Sequence, residues 1–173
     1  VGTAGGLDPD LAPGALLLPA ELRLAGGERL RLPADWHAAV HTCLAARLPV
    51  VAGPLVSSRS AVGDAVARQR LRERSGALAV DMESYWLAQA AAAAGVPLLV
   101  LRAVADPAAA RLPPPLLAAL TPDGGLRWQA LLACWRPALW PGLWRLRRDF
   151  RRAAASLRVA LATDATALFP PRG

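Results

Sequence analysis

The sequence predicts an α/β fold, a sheet flanked by helices, on three observations. Gly76-Ala-Leu-Ala-Val-Asp-Met-Glu-Ser84 runs a short apolar segment into a helix start, and an Ala-rich stretch follows it. Leu98-Leu-Val-Leu-Arg-Ala-Val-Ala-Asp106 is then a second apolar run, long enough for a largely buried parallel strand. Asp81 is placed to cap the intervening helix, and Gly95 and Pro97 stop it. In open α/β sheets ligands bind beyond the carboxyl ends of strands. Glu83 and Asp106 would both lie there, two acids on one cleft.

The remaining elements follow in order. Gly2-Thr-Ala-Gly-Gly-Leu7 reads as a Gly-rich turn at the end of a strand, and Ala15 to Leu18 as a strand after a loop. Glu21 to Leu32 suits a hairpin turning at Gly26-Gly27. Asp35 to Arg47 is expected to be helical with Asp35 as its N-cap. Pro49-Val-Val-Ala-Gly-Pro54 is a short strand ended by a Gly-Pro break, and Ser60 to Arg74 a basic, polar helix. Leu112-Pro-Pro-Pro-Leu116 is a rigid connector, and Thr121-Pro-Asp-Gly-Gly125 a turn. Helices are expected from about Trp128 to Trp135 and from about Pro141 to Ala162. In the second, Leu143, Leu146, Phe150, Ala153, Leu157 and Leu161 recur at helical spacing with arginines around them, an amphipathic pattern.

The bulk numbers bound the reading. The chain has 173 residues and is 54% hydrophobic, enough for one packed domain and against general disorder. Its net charge of +7 lies wholly in residues 126–173, which hold 9 Arg against 2 acids. A charge confined to the tail points to a local partner surface and not to nucleic acid. Arg136, Pro137 and Pro141 interrupt the best apolar stretch short of the ~20 residues that span a bilayer. No signal peptide is visible, and the opening at Val1 is read as a chain lacking its natural start. Cys43 and Cys134 match no metal spacing, and His37 and His41, four apart, have no further ligand signal beside them, so no metal is expected.

Val80-Asp-Met-Glu-Ser84 with Leu101-Arg-Ala-Val-Ala-Asp106, preceded by Gly2-Thr-Ala-Gly-Gly-Leu7, resembles the purine nucleoside phosphorylase and nucleosidase family over positions 1–18 and 50–107. The tail from Leu112 onward resembles the hopanoid-associated branch, which removes adenine from adenosylhopane. The resemblance implies a mixed central sheet flanked by helices, with the family's N-terminal part missing. It divides the chain into a partial α/β domain over 1–111 and a helical, Trp- and Arg-rich extension over 112–173.

The chemistry this implies suits the residues. Cleaving a purine N-glycosidic bond leaves charge on the base and an oxocarbenium-like sugar, so an acid near the base must donate a proton. A partly buried Asp106 would keep its proton for that step, and the resemblance makes it the catalytic residue. Glu83 would accept hydrogen bonds from the ribose hydroxyls, and Met82 would pack on the sugar. Thr3 and Gly5, with the N–H groups of Ala4 to Gly6, would form an anion-holding nest. Val56, or a residue from elsewhere, would supply an apolar face to the base, since no aromatic stands in Gly53 to Ser58; Trp86 is a further candidate, though a core or interface tryptophan is the plainer reading. Taken singly, Asp106 also suits a turn and Glu83 a first helical turn.

No cofactor is expected, with inorganic phosphate as a co-substrate if the attack is phosphorolytic. The family's phosphate loop or water-activating Glu would lie upstream of Val1, which leaves phosphate and water both open. The substrate implied is a nucleoside carried on a lipid. Trp128, Trp135, Trp140 and Trp144 beside the Arg cluster form the pattern of an interfacial helix, which suggests a membrane surface as a partner. A packing helix that shows Arg to water is the plainer alternative. The expected location is cytoplasmic and peripheral at the inner membrane, and pairing near the site, common in the family, allows a homodimer. A soluble 5′-substituted adenosine nucleosidase, or a non-catalytic relative that binds membrane or nucleic acid, are the other readings.

Overall fold

Glycine opens the chain as a strand and not as a turn. The computed structural model describes residues 1–114, 117 and 139–163. Its first strand, β1 (Gly2–Gly6), lies between β7 (Ala79–Asp81) and β8 (Arg102–Asp106), antiparallel to the former and parallel to the latter. Side chains at these positions would collide with their surroundings. A Cβ on Gly2 would strike the Arg102 guanidinium, and one on Gly5 would sit 3.3 Å from Nη2 of Arg68. The glycines therefore admit two buried arginines beside a central strand.

Five further strands complete one mixed sheet: β2 (Leu16–Leu18), β3 (Glu21–Leu24), β4 (Arg29–Arg31), β5 (Val50–Ala52) and β6 (Leu55–Ser57). The order across the sheet is β4-β3-β6-β7-β1-β8-β2-β5. The expected hairpin is the β3–β4 pair, turned at Gly27 with φ of +108°, a conformation that favours glycine. The sequence reading had no strand at 55–57. The Gly53-Pro54 break that closes β5 is followed at once by β6, parallel to both β3 and β7.

Four helices flank the sheet: α1 (Ala34–Ala45), α2 (Ala65–Ser75), α3 (Ser84–Ala93) and α4 (Trp140–Ala162). Two starts differ from expectation. Asp35 sits inside the first turn of α1, whose N-cap is Pro33. Residues 60–64 precede α2, because the Asp64 side chain accepts from the N–H of Ala67 and sets the start there. Gly76, at φ +62°, closes α2 in the left-handed conformation. The strand expected from Leu98 begins only at Arg102, where pairing with Gly2 of β1 begins.

Helix α4 packs along β8 and also touches β1 and β2. Its Ala153 and Ala160 share a core with Leu16, Leu18, Ala103 and Ala105. The buried face is rotated from the expected stripe. Small Ala153 and Ala160, with Asp149, face the sheet, and Gly14 lies against Arg152 and Ser156, while Phe150 and Leu161 stay about half exposed. Close approach of helix to sheet selects the small residues over the large ones. The expected turn at 121–125, the helix at 128–135, Cys134, and part of the 112–116 connector lie outside the described residues.

Candidate active site

The carboxyl ends of β7 and β8 and the strand β1 between them open onto one cavity of about 670 Å³. Glu83, Met82 and Asp81 line one side of it, and Asp106 and Arg68 line the same cavity. Thr3 and Gly5 form its floor from β1. The two acids singled out in the sequence thus meet in one space.

On the Glu83 side, a hydrogen-bonded network fixes the start of α3. Asp81, at the end of β7, accepts from the N–H groups of Glu83 and Ser84 at 3.4 and 3.2 Å, so it satisfies helix-terminal donors although the N-cap position itself is Glu83. Ser57 Oγ donates to Asp81 at 2.6 Å and accepts from the N–H of Tyr85 at 3.0 Å. Ser84 Oγ donates to the same carboxylate. Arg102 completes the cluster, pairing with Asp81 at 2.8 Å and with Glu83 at 3.3 Å, and donating to Ser84 Oγ. The Asp81 and Arg102 side chains are buried, whereas that of Glu83 is 63% exposed. Glu83 is therefore held from behind by Arg102 and presents its carboxylate to the cavity.

On the other side, Asp106 ends β8 and pairs with Arg68 of α2. Arg68 is only 2% exposed, and its other N–H groups donate to the carbonyls of Val62 at 2.9 Å and Pro107 at 3.0 Å. Burial pushes the Asp106 carboxyl above the usual carboxylate range, against the opposing pull of Arg68, and the charge of Asp149 adds to the rise. A carboxyl of this kind holds a proton further towards neutrality than an exposed aspartate does. It can deliver that proton to a leaving group in the cavity.

Two expectations need correction. Val56 is fully buried in β6, packed with Leu7, Leu71, Ala77 and Val80, and does not line the cavity. Strand alternation turns it to the α2 side, opposite its neighbour Ser57. Ala4 to Gly6 form no nest, because their backbone belongs to the ladders with β7 and β8. Trp86 lies off the cavity, with the Arg59 guanidinium 5.8 Å over its ring. His37 Nε2 donates to the Leu18 carbonyl at 2.8 Å, a structural contact on α1.

Asp81, Arg68 and Arg102 were missed as site residues. Arg102 was visible in principle, being a charge inside an apolar run that must find a buried partner. Arg68 was not, since α2 carries arginines at Arg68, Arg70, Arg72 and Arg74 and nothing in their spacing singles out the buried one.

Comparison with known proteins bears on this arrangement. A family model described as the phosphorylase superfamily matches residues 1–119. The chain belongs to the phosphorylase superfamily. Among curated relatives of this superfamily, a futalosine hydrolase from Streptomyces coelicolor is 47% identical over 60 residues, 34% of this chain and 26% of its own length. Among solved structures, a futalosine hydrolase mutant of Helicobacter pylori superposes with a TM-score of 0.56 at 23% identity, covering 61% of this chain and 55% of that one. A 5′-methylthioadenosine/S-adenosylhomocysteine nucleosidase from Neisseria meningitidis, solved with methylthio-immucillin-A, superposes with a TM-score of 0.66 at 18% identity over 93% of this chain and 65% of that one. These structures share the mixed-sheet α/β fold of this chain. The chain spans about a quarter of the curated relative's length and between half and two-thirds of these structures.

Proposed function

We propose that this chain carries the base- and ribose-contacting half of an enzyme that cleaves the N-glycosidic bond of a purine nucleoside. The observation that carries the reading is the convergence of Glu83 and Asp106 on one cavity, the first anchored by Arg102 and the second with a carboxyl held above its ordinary range by burial. In the reaction the bond from the anomeric carbon to the base breaks, and its electron pair leaves with the base. Asp106 gives its proton to the departing base, a contribution of about 10²–10⁴ in rate for a well-placed general acid. Glu83 accepts hydrogen bonds from the ribose hydroxyls, with Met82 against the sugar and Thr3 and Gly5 beneath it. An oxygen nucleophile then bonds to the anomeric carbon; where it is water, the proton it sheds passes to solvent, and Asp106 regains one from solvent before the next turnover. The hydrolase and nucleosidase names of the relatives favour water over inorganic phosphate.

For the substrate we favour an adenosine whose 5′ carbon bears a lipid, adenosylhopane being the member that the tail's resemblance suggests. The support is α4, which exposes Trp140 and Trp144 beside Arg147, Arg151 and Arg158, a face suited to the surface of an anionic bilayer. No helix among the described residues is long and apolar enough to cross a membrane, so this contact would be peripheral. A nucleosidase acting on a water-soluble 5′-substituted adenosine is the second reading, and the 47% identity to a futalosine hydrolase favours it.

Adenine release, followed by chromatography with and without phosphate, separates these readings. Release from adenosylhopane but not from methylthioadenosine supports the lipid substrate. The reverse pattern supports the soluble one. No release from either by the chain within its full-length protein sinks the enzymatic reading.

A further inference from the structure

Trp86 stands outside the cavity, yet it is tied to one of the cavity's walls. Ser60, Ala61 and Val62, in the segment that joins β6 to α2, line the space that Glu83 and Asp106 share. Both ends of that segment are fixed by hydrogen bonds. At the β6 end the N–H of Ser58 donates to the Asp81 carbonyl at 2.9 Å, and Ser57 Oγ accepts from the N–H of Tyr85. At the α2 end the Val62 carbonyl accepts from Arg68 Nε, and the Gly63 carbonyl accepts from the N–H of Leu112, both at 2.9 Å. Between these anchors the backbone of Arg59 and Ala61 makes no hydrogen bond to the other described residues, and the N–H of Ser60 reaches only Ser58 Oγ, at 3.4 Å. The contact left at midspan is that of Arg59, whose guanidinium carbon lies 5.8 Å over the Trp86 ring. Trp86 is itself held, half-buried on α3 and edge-on to the buried Tyr85 with ring centroids 6.3 Å apart.

We propose that Arg59 and Trp86 form a clasp that positions residues 59–62 as a wall of the cavity. They are positioning residues, since neither lines the cavity and both act through Ser60 and Ala61. The clasp ends on α3, the helix whose N-cap position is Glu83, so it holds the wall in register with that acid. A cation over an indole face at an exposed site favours the closed arrangement roughly two- to fivefold. That is too little to hold a fold together. It is enough to set how often a short segment, unbonded at its middle, stands in place.

The purpose of the clasp rests on the nucleoside-cleaving reading, but its first test does not. Trypsin cleaves after arginine, so cleavage between Arg59 and Ser60 in the folded full-length protein, read by mass spectrometry, reports how often the wall is free. Trp86→Leu should raise that rate about two- to fivefold relative to cleavage after Arg47, in the turn behind α1. Trp86→Phe, which keeps a ring face, should raise it less. An unchanged ratio overturns the proposal. In turnover of a 5′-substituted adenosine, Trp86→Leu and Arg59→Gln should each raise KM by a similar factor with kcat nearly unchanged. Arg59→Lys, which keeps the cation, should stay closer to the unaltered protein, and the double variant should be no worse than either single one. Additive effects on KM, or equal falls in kcat and kcat/KM, overturn the clasp. Should Trp86→Leu not fold, Trp86→Phe carries the trypsin comparison and Arg59→Gln, at an exposed position, the kinetic one. If no adenine is ever released while loss of the Trp86 ring still frees the Arg59 site, the enzymatic reading fails and the clasp stands.

Discussion

Replacing Arg68 by methionine removes the one cation that faces Asp106 from α2, and the consequence depends on pH in a way the structure dictates. Arg68 is 2% exposed and Asp106 9% exposed, so the ion pair is effectively out of water. Breaking a buried pair by removing one partner costs about 3–5 kcal/mol, because the other charge is left uncompensated. The carbonyls of Val62 and Pro107 also lose their donors. At pH 8 the loss should therefore be about 3 kcal/mol. Asp106 has an escape that a permanent charge lacks, since it can take up a proton. Its folded-state pKa already lies above the unfolded value, so its contribution to stability is full at acid pH and is lost as pH rises through the folded value. Without Arg68 the folded value rises further and that loss becomes larger. At pH 4 only the missing hydrogen bonds remain, about 1–2 kcal/mol. Urea unfolding of both proteins between pH 4 and 8 measures this directly. A difference that is flat with pH, or smaller than about 1 kcal/mol at pH 8, refutes the account of Arg68 as the counter-charge of a buried carboxyl.

Three further outcomes are expected. Arg102→Met should raise KM more than it lowers kcat, because it frees Glu83 and unbalances the buried Asp81 without touching the general acid; equal falls in kcat and kcat/KM would place Arg102 elsewhere in the chemistry. Ser57→Ala should destabilise the chain by about 1–3 kcal/mol in urea unfolding, since it leaves the buried N–H of Tyr85 without its acceptor and Asp81 without one donor. Neutralising Arg147, Arg151 and Arg158 to Gln should weaken sedimentation with phosphatidylglycerol vesicles roughly fivefold for each arginine removed. Unchanged sedimentation would remove the support that α4 gives to a lipid-borne substrate.

How far the sequence could be read depended on whether the deciding physics was local. Strong local signals were legible. The end of α2 at Gly76, the hairpin at Gly27, and the Pro141 start of α4 all follow from backbone preferences of single residues. Glu83 and Asp106 do line one cavity, as expected of them, but not through converging strand ends. Strand β7 runs antiparallel to β1 and β8 parallel to it, so the two carboxyl ends point in opposite directions and the cavity extends along β1 between them. The rest was decided by partners distant in the chain. Gly2–Gly6 has the composition of a turn and is a central strand, because two arginines from other elements occupy the space beside it. Val56 was placed by sequence position near the base, but the pleat turns it away. The face of α4 was set by small residues fitting against β8, a matter of shape that the spacing of large apolar residues does not report. Arg68 and Asp149 became recognisable only when burial separated them from their exposed neighbours.

The central claim is tested most directly by turnover of a 5′-substituted adenosine by the full-length protein, unaltered and with Asp106→Asn or Glu83→Gln. The account predicts that Asp106→Asn lowers kcat by about 10²–10⁴ while substrate still binds, and that Glu83→Gln weakens substrate binding. Undiminished adenine release from the Asp106→Asn protein would contradict it.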